Sequence, residues 1–392
     1  MIEQRLDRLL NIGLVSAFDY ASHGGVQSHI RQLAAQFESW GHRVRVIGPC
    51  SDTDKVLDSN FIPMGKPVPI PSQGSVARIS ISIWLRPRIK KMLDEQAFDI
   101  LHLHEPFSSY VPVGCLAQSQ TVTIATFHAY PGSMVYEIGG AKLAQPYFRK
   151  LDGWIAVSEP ARDFISEHFP ADYEIVPNGI SLDQFTDGVE PFPNLQDGMI
   201  NLLFLGRLEK RKGLRYLLAA YSKLKWDWPN LRLLVVGPGT PDEESSRIIS
   251  ERNLQDVVFL GGVSDEDKVR FYKSADLYCS PATGGESFGI VLLEAMASSK
   301  PIVATSIPGF SSVMTDGKEG LMVPPKDGDA LADAIHTLLS DPERGSRMAA
   351  QGRATAEKFQ WQRVATRVMD YYQVCLDRAA ASPRPASHAH LF

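Results

Sequence analysis

Cysteine is scarce in this chain: Cys50, Cys115, Cys279 and Cys375 are the only four among 392 residues, and no C-x-x-C pair occurs. That usage excludes a disulfide framework and a cysteine-based zinc site, and it suits a reducing compartment. Long apolar runs are missing too; none approaches the ~18 residues a membrane span needs. Residues 1–10 carry acids and no apolar core, so no signal peptide is expected. Positive charge is not in excess. With 40 Lys and Arg against 45 Asp and Glu, the net charge is −5 and the pI near 6.1, which argues against nucleic acid as a partner. The G-x-G-x-x-G dinucleotide fingerprint and any short-period repeat are likewise absent.

What is there is a globular composition, 44% hydrophobic and 22% charged, in a chain too long for one ordinary core. A strand–turn–helix alternation runs twice. Strands are expected at 11–16, 44–47, 100–104, 121–127, 153–157 and 173–176, with helices at 26–40 and 159–168. After residues 187–198, which hold two prolines, two glycines and several acids and read as a domain boundary, the alternation restarts. Strands at 201–205, 231–236, 257–260, 275–280, 301–305 and 320–323 then interleave with helices, and three helices close the chain. Both halves are therefore expected to be parallel α/β domains, spanning 1–190 and 199–360. Residues 68–78 read as a loop because Pro69 and Pro71 lack donors. The tail 381–392, rich in Ala, Ser, Pro and His, is expected to be disordered.

One stretch, residues 281–297, carries most of the chemistry. A short apolar strand leads into Gly284-Gly285 and then into good helix formers from Phe288. A strand, a glycine turn and a helix start aim backbone N–H groups at an anion, with Ser287 as the expected N-cap. Glu286 lies in the turn, while Glu294 lies two turns into the helix, roughly 10 Å further along its axis. A carboxylate for sugar hydroxyls, one for ribose hydroxyls and a helix N-terminus for the diphosphate between them describe a sugar nucleotide.

Other positions point the same way. Residues 206–213 follow the first strand of the second half and carry Arg207, Lys210, Arg211 and Lys212, charge that a departing diphosphate needs. His104, Glu105 and His128 stand at the carboxyl ends of strands, where open α/β sheets place ligands. Gly24-Gly25 admits two readings, a tight turn with positive φ or close approach of backbone to a phosphate or sugar. Residues 78–91 hold Arg78, Arg86, Arg88, Lys90 and Lys91 with no acid, and Trp84, Leu85, Ile89, Met92 and Leu93 lie among or beside them. Such a segment is a solvated helix face or a contact for anionic lipid headgroups; Pro87 interrupts any long helix, and residues 79–83 alternate like a strand. Asp52-Thr53-Asp54, Asp265-Glu266-Asp267 and Asp327-Gly328-Asp329 are read as structural acids, so no obligatory metal is expected.

Together these motifs resemble the retaining glycosyltransferases of family 4, and more narrowly the bacterial phosphatidylinositol mannosyltransferases. The resemblance spans nearly the whole chain. It rests on Gly24-Gly25-Val26-Gln27-Ser28-His29, Val68-Pro69-Ile70-Pro71, Gly74-Ser75-Val76-Ala77-Arg78 and Leu101-His102-Leu103-His104-Glu105-Pro106. Thr126-Phe127-His128, Gly284-Gly285-Glu286-Ser287-Phe288-Gly289-Ile290-Val291 and Glu294 complete it. It implies the GT-B fold, two Rossmann-like domains facing a cleft, with a helix at 361–380 returning to the first domain. It further implies a nucleotide-sugar donor, GDP-mannose first and a UDP-sugar second. That donor would be held by Gly24, Gly25, Arg207, Lys212, Glu286, Ser287, Phe288, Gly289, Ile290 and Glu294. His128, Arg207, Lys212 and Glu286 would be the catalytic set. An inositol phospholipid, or another glycolipid or soluble acceptor, would meet Gln27, Ser72, Gln73, Ser75, Arg78, His128 and Arg211. Arg86, Arg88, Lys90 and Lys91 would touch an anionic membrane, making the protein peripheral at the inner face of the plasma membrane. Magnesium is expected only as an optional aid to the diphosphate. Two departures fall on the acceptor side: Ser72-Gln73 stand where the resembled enzymes have Tyr-Asn, and no lysine occurs between His128 and Lys142. A non-catalytic sugar-nucleotide-binding protein and a nicotinamide oxidoreductase are the rival readings.

Overall fold

A computed structural model of the protein describes residues 8–22, 24–56, 58–72, 75–128, 140–185 and 188–382. It forms two compact units, Met1–Asn178 with Trp361–Phe392, and Gly179–Gln360. The division falls at Asn178, ahead of the 187–198 stretch read as a boundary. Ile180, Leu182 and Phe185 are already buried in the second unit's core, and Val189, Phe192 and Leu195 pack against it. The Arg270 guanidinium lies 4.0 Å from the centre of the Phe192 ring.

In the first unit, β1 (Asn11–Ser16), β2 (Arg43–Gly48), β3 (Phe61–Pro63), β6 (Ile100–His104), β7 (Val122–Phe127), β8 (Gly153–Ala156) and β9 (Glu174–Ile175) form a parallel sheet. Its order is β3-β2-β1-β6-β7-β8-β9. The central strands β1, β6 and β7 are almost continuously buried because helices cover both faces, so they read as apolar runs rather than as alternation. On one face, α1 (Gly25–Ser39) packs with the closing helix Trp361–Ala381; Leu33 and Phe37 share a core with Val368 and Tyr372. A Cβ on Gly153 would lie 2.7 Å from Cys375 Sγ, so glycine lets that helix sit close on the sheet. All four cysteines are buried free thiols.

Residues 68–78 are not a loop. β4 (Val68–Ser72) and β5 (Ser75–Ile79) pair antiparallel, with Pro69 opposite Arg78 and Pro71 opposite Val76. Prolines two apart place both nitrogens on one strand edge, leaving the other edge to make the ladder. Residues 80–82 carry no strand, and Pro87 opens a helix instead of breaking one. It sits in the first turn of α2 (Arg86–Gln96), where a missing N–H costs no helical bond. Gln73 and the tail from residue 383 lie outside the described residues.

The second unit repeats the plan. Strands β10 (Ile200–Leu205), β11 (Leu231–Val236), β12 (Val257–Gly261), β13 (Leu277–Ser280), β14 (Ile302–Thr305) and β15 (Leu321–Val323) are parallel in the order β12-β11-β10-β13-β14-β15. This is the doubly wound order whose switch point lies beside the first strand. In the first unit that point lies between β1 and β6, and in the second between β10 and β13. The acid clusters serve locally: Asp52 accepts from Asp54 N, Asp327 caps a helix through the N–H groups of Asp329 and Ala330, and residues 265–267 fill a first helical turn behind the Ser264 cap. Among the described residues, no helix is long and apolar enough to cross a membrane.

Candidate active site

At the second unit's switch point two loops meet, one after β10 and one after β13. Arg211 Nη1 donates to the Gly285 carbonyl at 2.9 Å, and the Thr283 backbone N–H donates to the Arg211 carbonyl at 2.7 Å. Gly213 makes this approach possible: its φ is +75°, and a Cβ there would stand 2.0 Å from the Pro281 carbonyl oxygen. One oxygen of Glu286, Oε1, takes both Arg211 Nη1 and Lys212 Nζ at 2.6 Å each. Glu209, its side chain nearly buried, holds Arg211 Nε at 2.8 Å and lies 4.0 Å from Arg207. Four cations thus share the loop with Glu209 and Glu286, a net positive site beside an acid. Arg211, grouped in the sequence with the acceptor residues, commits its guanidinium here.

The helix after the turn is Ile290–Ala297, and its N-cap is Gly289, not Ser287. The chain stays irregular through Phe288 because Glu286 and Phe288 pack against Gly309, whose Cβ would fall 2.1 Å from the Glu286 carbonyl oxygen. Glu294 is therefore the fifth residue of the helix. It is 7% exposed, with its carboxylate on Lys268 Nζ at 2.7 Å and on the Tyr272 hydroxyl at 3.1 Å. Burial alone would lower the Lys268 pKa, but Glu294 and Asp265 reverse that and hold it above its usual value. Sequence reasoning missed Glu209, Lys268, Tyr272 and Gly309; only the Pro308-Gly309 dipeptide carried a signal, that of a turn.

The first unit's switch point gathers histidines. His104 ends β6 and His128 follows β7; His104 Nδ1 lies 3.3 Å from His128 Nε2. Between these strand ends sits Glu105, whose φ of +54° is left-handed and whose Oε1 accepts the His128 N–H at 2.5 Å. His29, on the α1 stripe shared with Leu33 and Phe37, has Nδ1 2.8 Å from Asn178 Oδ1. His102 is bound by Tyr372 at 2.7 Å and Thr126 at 2.6 Å. Burial, reinforced by neighbouring histidines, pushes His104 and His128 well below the usual imidazole range. His29 is lowered to about 4 by burial and His102 to about 3 by burial with His29 adding. All four are neutral near pH 7.

Gly24 and Gly25 do not make a positive-φ turn. Gly24 is extended at the N-cap of α1, and a Cβ on Gly25 would meet nothing within 4 Å, the open room that close approach of a ligand requires. Gln27 is buried, donating to the Asp19 carbonyl at 3.1 Å and to Ser22 at 3.3 Å. Arg78 is exposed on β5. Of the apolar residues around the basic segment, Ile89 and Met92 are core and Leu85 and Leu93 pack on it, so they do not face outward. Trp84 does, at 86% exposure, beside Ile81 and Ile83 and next to Arg86. Arg88 donates to the Pro63 carbonyl, Lys90 pairs with Asp94, and Lys91 lies 3.6 Å from Glu95.

Residues 190–355 match the family described as Glycosyl transferases group 1, and residues 23–184 match Glycosyltransferase Family 4. A phosphatidyl-myo-inositol mannosyltransferase of Mycobacterium leprae (strain TN) is 36% identical over 367 residues, 93% of this chain and 96% of that one. The protein of the same name from Propionibacterium freudenreichii subsp. shermanii is 32% identical, covering 95% and 97%. The chain belongs to glycosyltransferase family 4. Solved glycosyltransferases share its GT-B fold. One from Rickettsia africae ESF-5 superposes with TM-score 0.75 at 19% identity over 95% of this chain and 99% of that one. Anabaena Alr3699/HepE, solved with UDP and glucose, does so with TM-score 0.76 at 19% identity over 93% and 99%. In this family 4 glycosyltransferase, the charged loops of the second unit and the histidine end of the first are the two clusters that the fold builds at its switch points.

Proposed function

We propose that this glycosyltransferase moves mannose from GDP-mannose to a phosphatidylinositol-type lipid at an anionic membrane surface, with retention of configuration. The observation that carries the reading is the Glu286 carboxylate clamped by Arg211 and Lys212 at the carboxyl ends of β10 and β13. It keeps an acceptor for sugar hydroxyls against the cations a diphosphate requires. Arg207 and Lys212 bind the diphosphate, the turn of Ser287, Phe288, Gly289 and Ile290 supplies N–H groups, and Glu294, paired with Lys268, takes the ribose hydroxyls. Gly24 and Gly25 admit the donor phosphates, and His128 hydrogen-bonds the reacting sugar through its neutral ring. In the transfer, an acceptor hydroxyl oxygen bonds to the anomeric carbon on the face that the diphosphate leaves. The carbon–oxygen bond to the β-phosphate breaks, and the hydroxyl proton passes to that phosphate. Magnesium is an optional aid to the diphosphate.

The acceptor reading rests on the names of the relatives and on Gln27, Ser72, Gln73, Ser75 and Arg78. Arg86, Arg88, Lys90 and Lys91, with Trp84 exposed beside them, fit an anionic membrane. Another acceptor is the second reading, favoured by Ser72-Gln73 in place of Tyr-Asn. Radiolabelled GDP-mannose incubated with phosphatidylinositol vesicles and extracted into organic solvent separates the two. Label in the lipid supports the first; donor hydrolysis without lipid label discards the inositol lipid.

A further inference from the structure

The first unit holds three histidines whose ring nitrogens converge, and the transfer chemistry uses only His128. One nitrogen each of His29, His104 and His128 lies within 4.8 Å of the other two. His102, stacked nearby, is not among them, since both its nitrogens are taken by Tyr372 and Thr126. His29 has its Nδ1 fixed by Asn178 Oδ1, which leaves Nε2 as its ligand atom. His104 is completely buried, and its Nε2 has no hydrogen-bond partner, a costly state for a polar atom.

We propose that His29, His104 and His128 form a binding site for a divalent transition-metal ion, zinc by preference. The donor set is all imidazole, which suits zinc and its neighbours rather than magnesium, a metal that takes oxygen ligands. The spacing fits as well. Tetrahedral zinc with Zn–N bonds of ~2.0–2.1 Å sets its nitrogens about 3.4 Å apart. The His104–His128 pair already stands at 3.3 Å. The third nitrogen, within 4.8 Å of the other two, reaches the same spacing by a ring shift of about 1.4 Å or less. Asn178 plays the outer part seen at metal-bound histidines, a carbonyl oxygen that fixes the tautomer and turns the other nitrogen inward. Three protein ligands leave a fourth position open. The donor atoms all come from the first unit, so the site does not depend on which sugar or lipid the enzyme uses.

The test needs neither donor nor acceptor. Chelator-treated full-length protein is titrated with Co(II) and followed by its visible d–d absorption, then with Zn(II) in competition, with zinc per chain measured by elemental analysis. One cobalt per chain with the intense bands of a tetrahedral site, displaced by one zinc, is expected. His29→Gln and His128→Gln, checked for native circular dichroism, should each weaken binding by more than about 10-fold, and Asn178→Ala by about 10-fold. Absence of stoichiometric cobalt or zinc in the wild-type protein overturns the proposal. So does a wild-type titration in a folded His128→Gln variant. Because lipid labelling is not part of the readout, failure here leaves the transferase reading standing, and failure of that reading leaves this site standing.

Discussion

Acidification from about pH 7 to about pH 5 should destabilise the first unit through its histidine cluster. Burial depresses His29 to about 4 and His102 to about 3, against 6.5 for a free imidazole. With folded values below unfolded ones, the unfolded chain binds more protons across this window. The stabilisation is therefore complete above about pH 6.5 and is lost as pH falls toward the folded values. Linkage for a shift of that size amounts to about 2 kcal/mol between pH 7 and 5 for His29, and about 2 kcal/mol for His102. The two sit in one cluster, so the sum is not strictly additive. For a unit of this size each group corresponds to roughly 4–8 °C in Tm. Scanning calorimetry of chelator-treated wild type, His29→Gln and His102→Gln at the two pH values reads the effect directly. Glutamine does not titrate, so each variant should show a shallower pH dependence of the first unit's transition. An unchanged slope in both variants, or a Tm that rises on acidification, would refute the reasoning.

Lys268→Met strands the buried Glu294 carboxylate and should cost about 3–5 kcal/mol in the second unit's unfolding transition, with Lys268→Met/Glu294→Gln recovering most of it; equal losses in the single and double variants would contradict the pairing. Gly309→Ala pushes a methyl group into the Glu286 carbonyl, and a displacement near 1 Å should lower kcat/KM for the donor roughly 100-fold while circular dichroism stays native. Trp84→Ala combined with Arg86→Ala should leave Tm nearly unchanged, since both side chains are exposed, yet weaken cosedimentation with anionic vesicles by roughly 5-fold or more, at about 1 kcal/mol per basic residue.

Much of the fold was legible because doubly wound sheets write themselves as buried runs at regular spacing. β1, β6 and β11 match their expected limits to the residue, and β12 does so within one. What failed has a physical cause in each case. Pro69 and Pro71 looked like loop residues because donor loss matters only on the edge that pairs. Pro87 looked like a breaker because a helix start and a helix interruption share the same residue. The division at Asn178 was hidden because Ile180 and Phe185 anchor the connecting segment through tertiary burial, not composition. At the candidate site, Glu286 and Lys212 were readable from their places at strand ends. Their support was not: Glu209, Lys268 and Gly309 act through contacts from elements far apart in sequence. The histidine cluster was half visible, since His104 and His128 end strands, whereas His29 lies on a helix stripe and Asn178 in a turn.

That the clamped Glu286 organises sugar transfer is a claim tested most directly by Glu286→Ala. Transfer of label from GDP-mannose into phosphatidylinositol vesicles should fall by roughly 100-fold or more, with the unfolding transitions within a few degrees of wild type. Turnover within about twofold of wild type would contradict the claim.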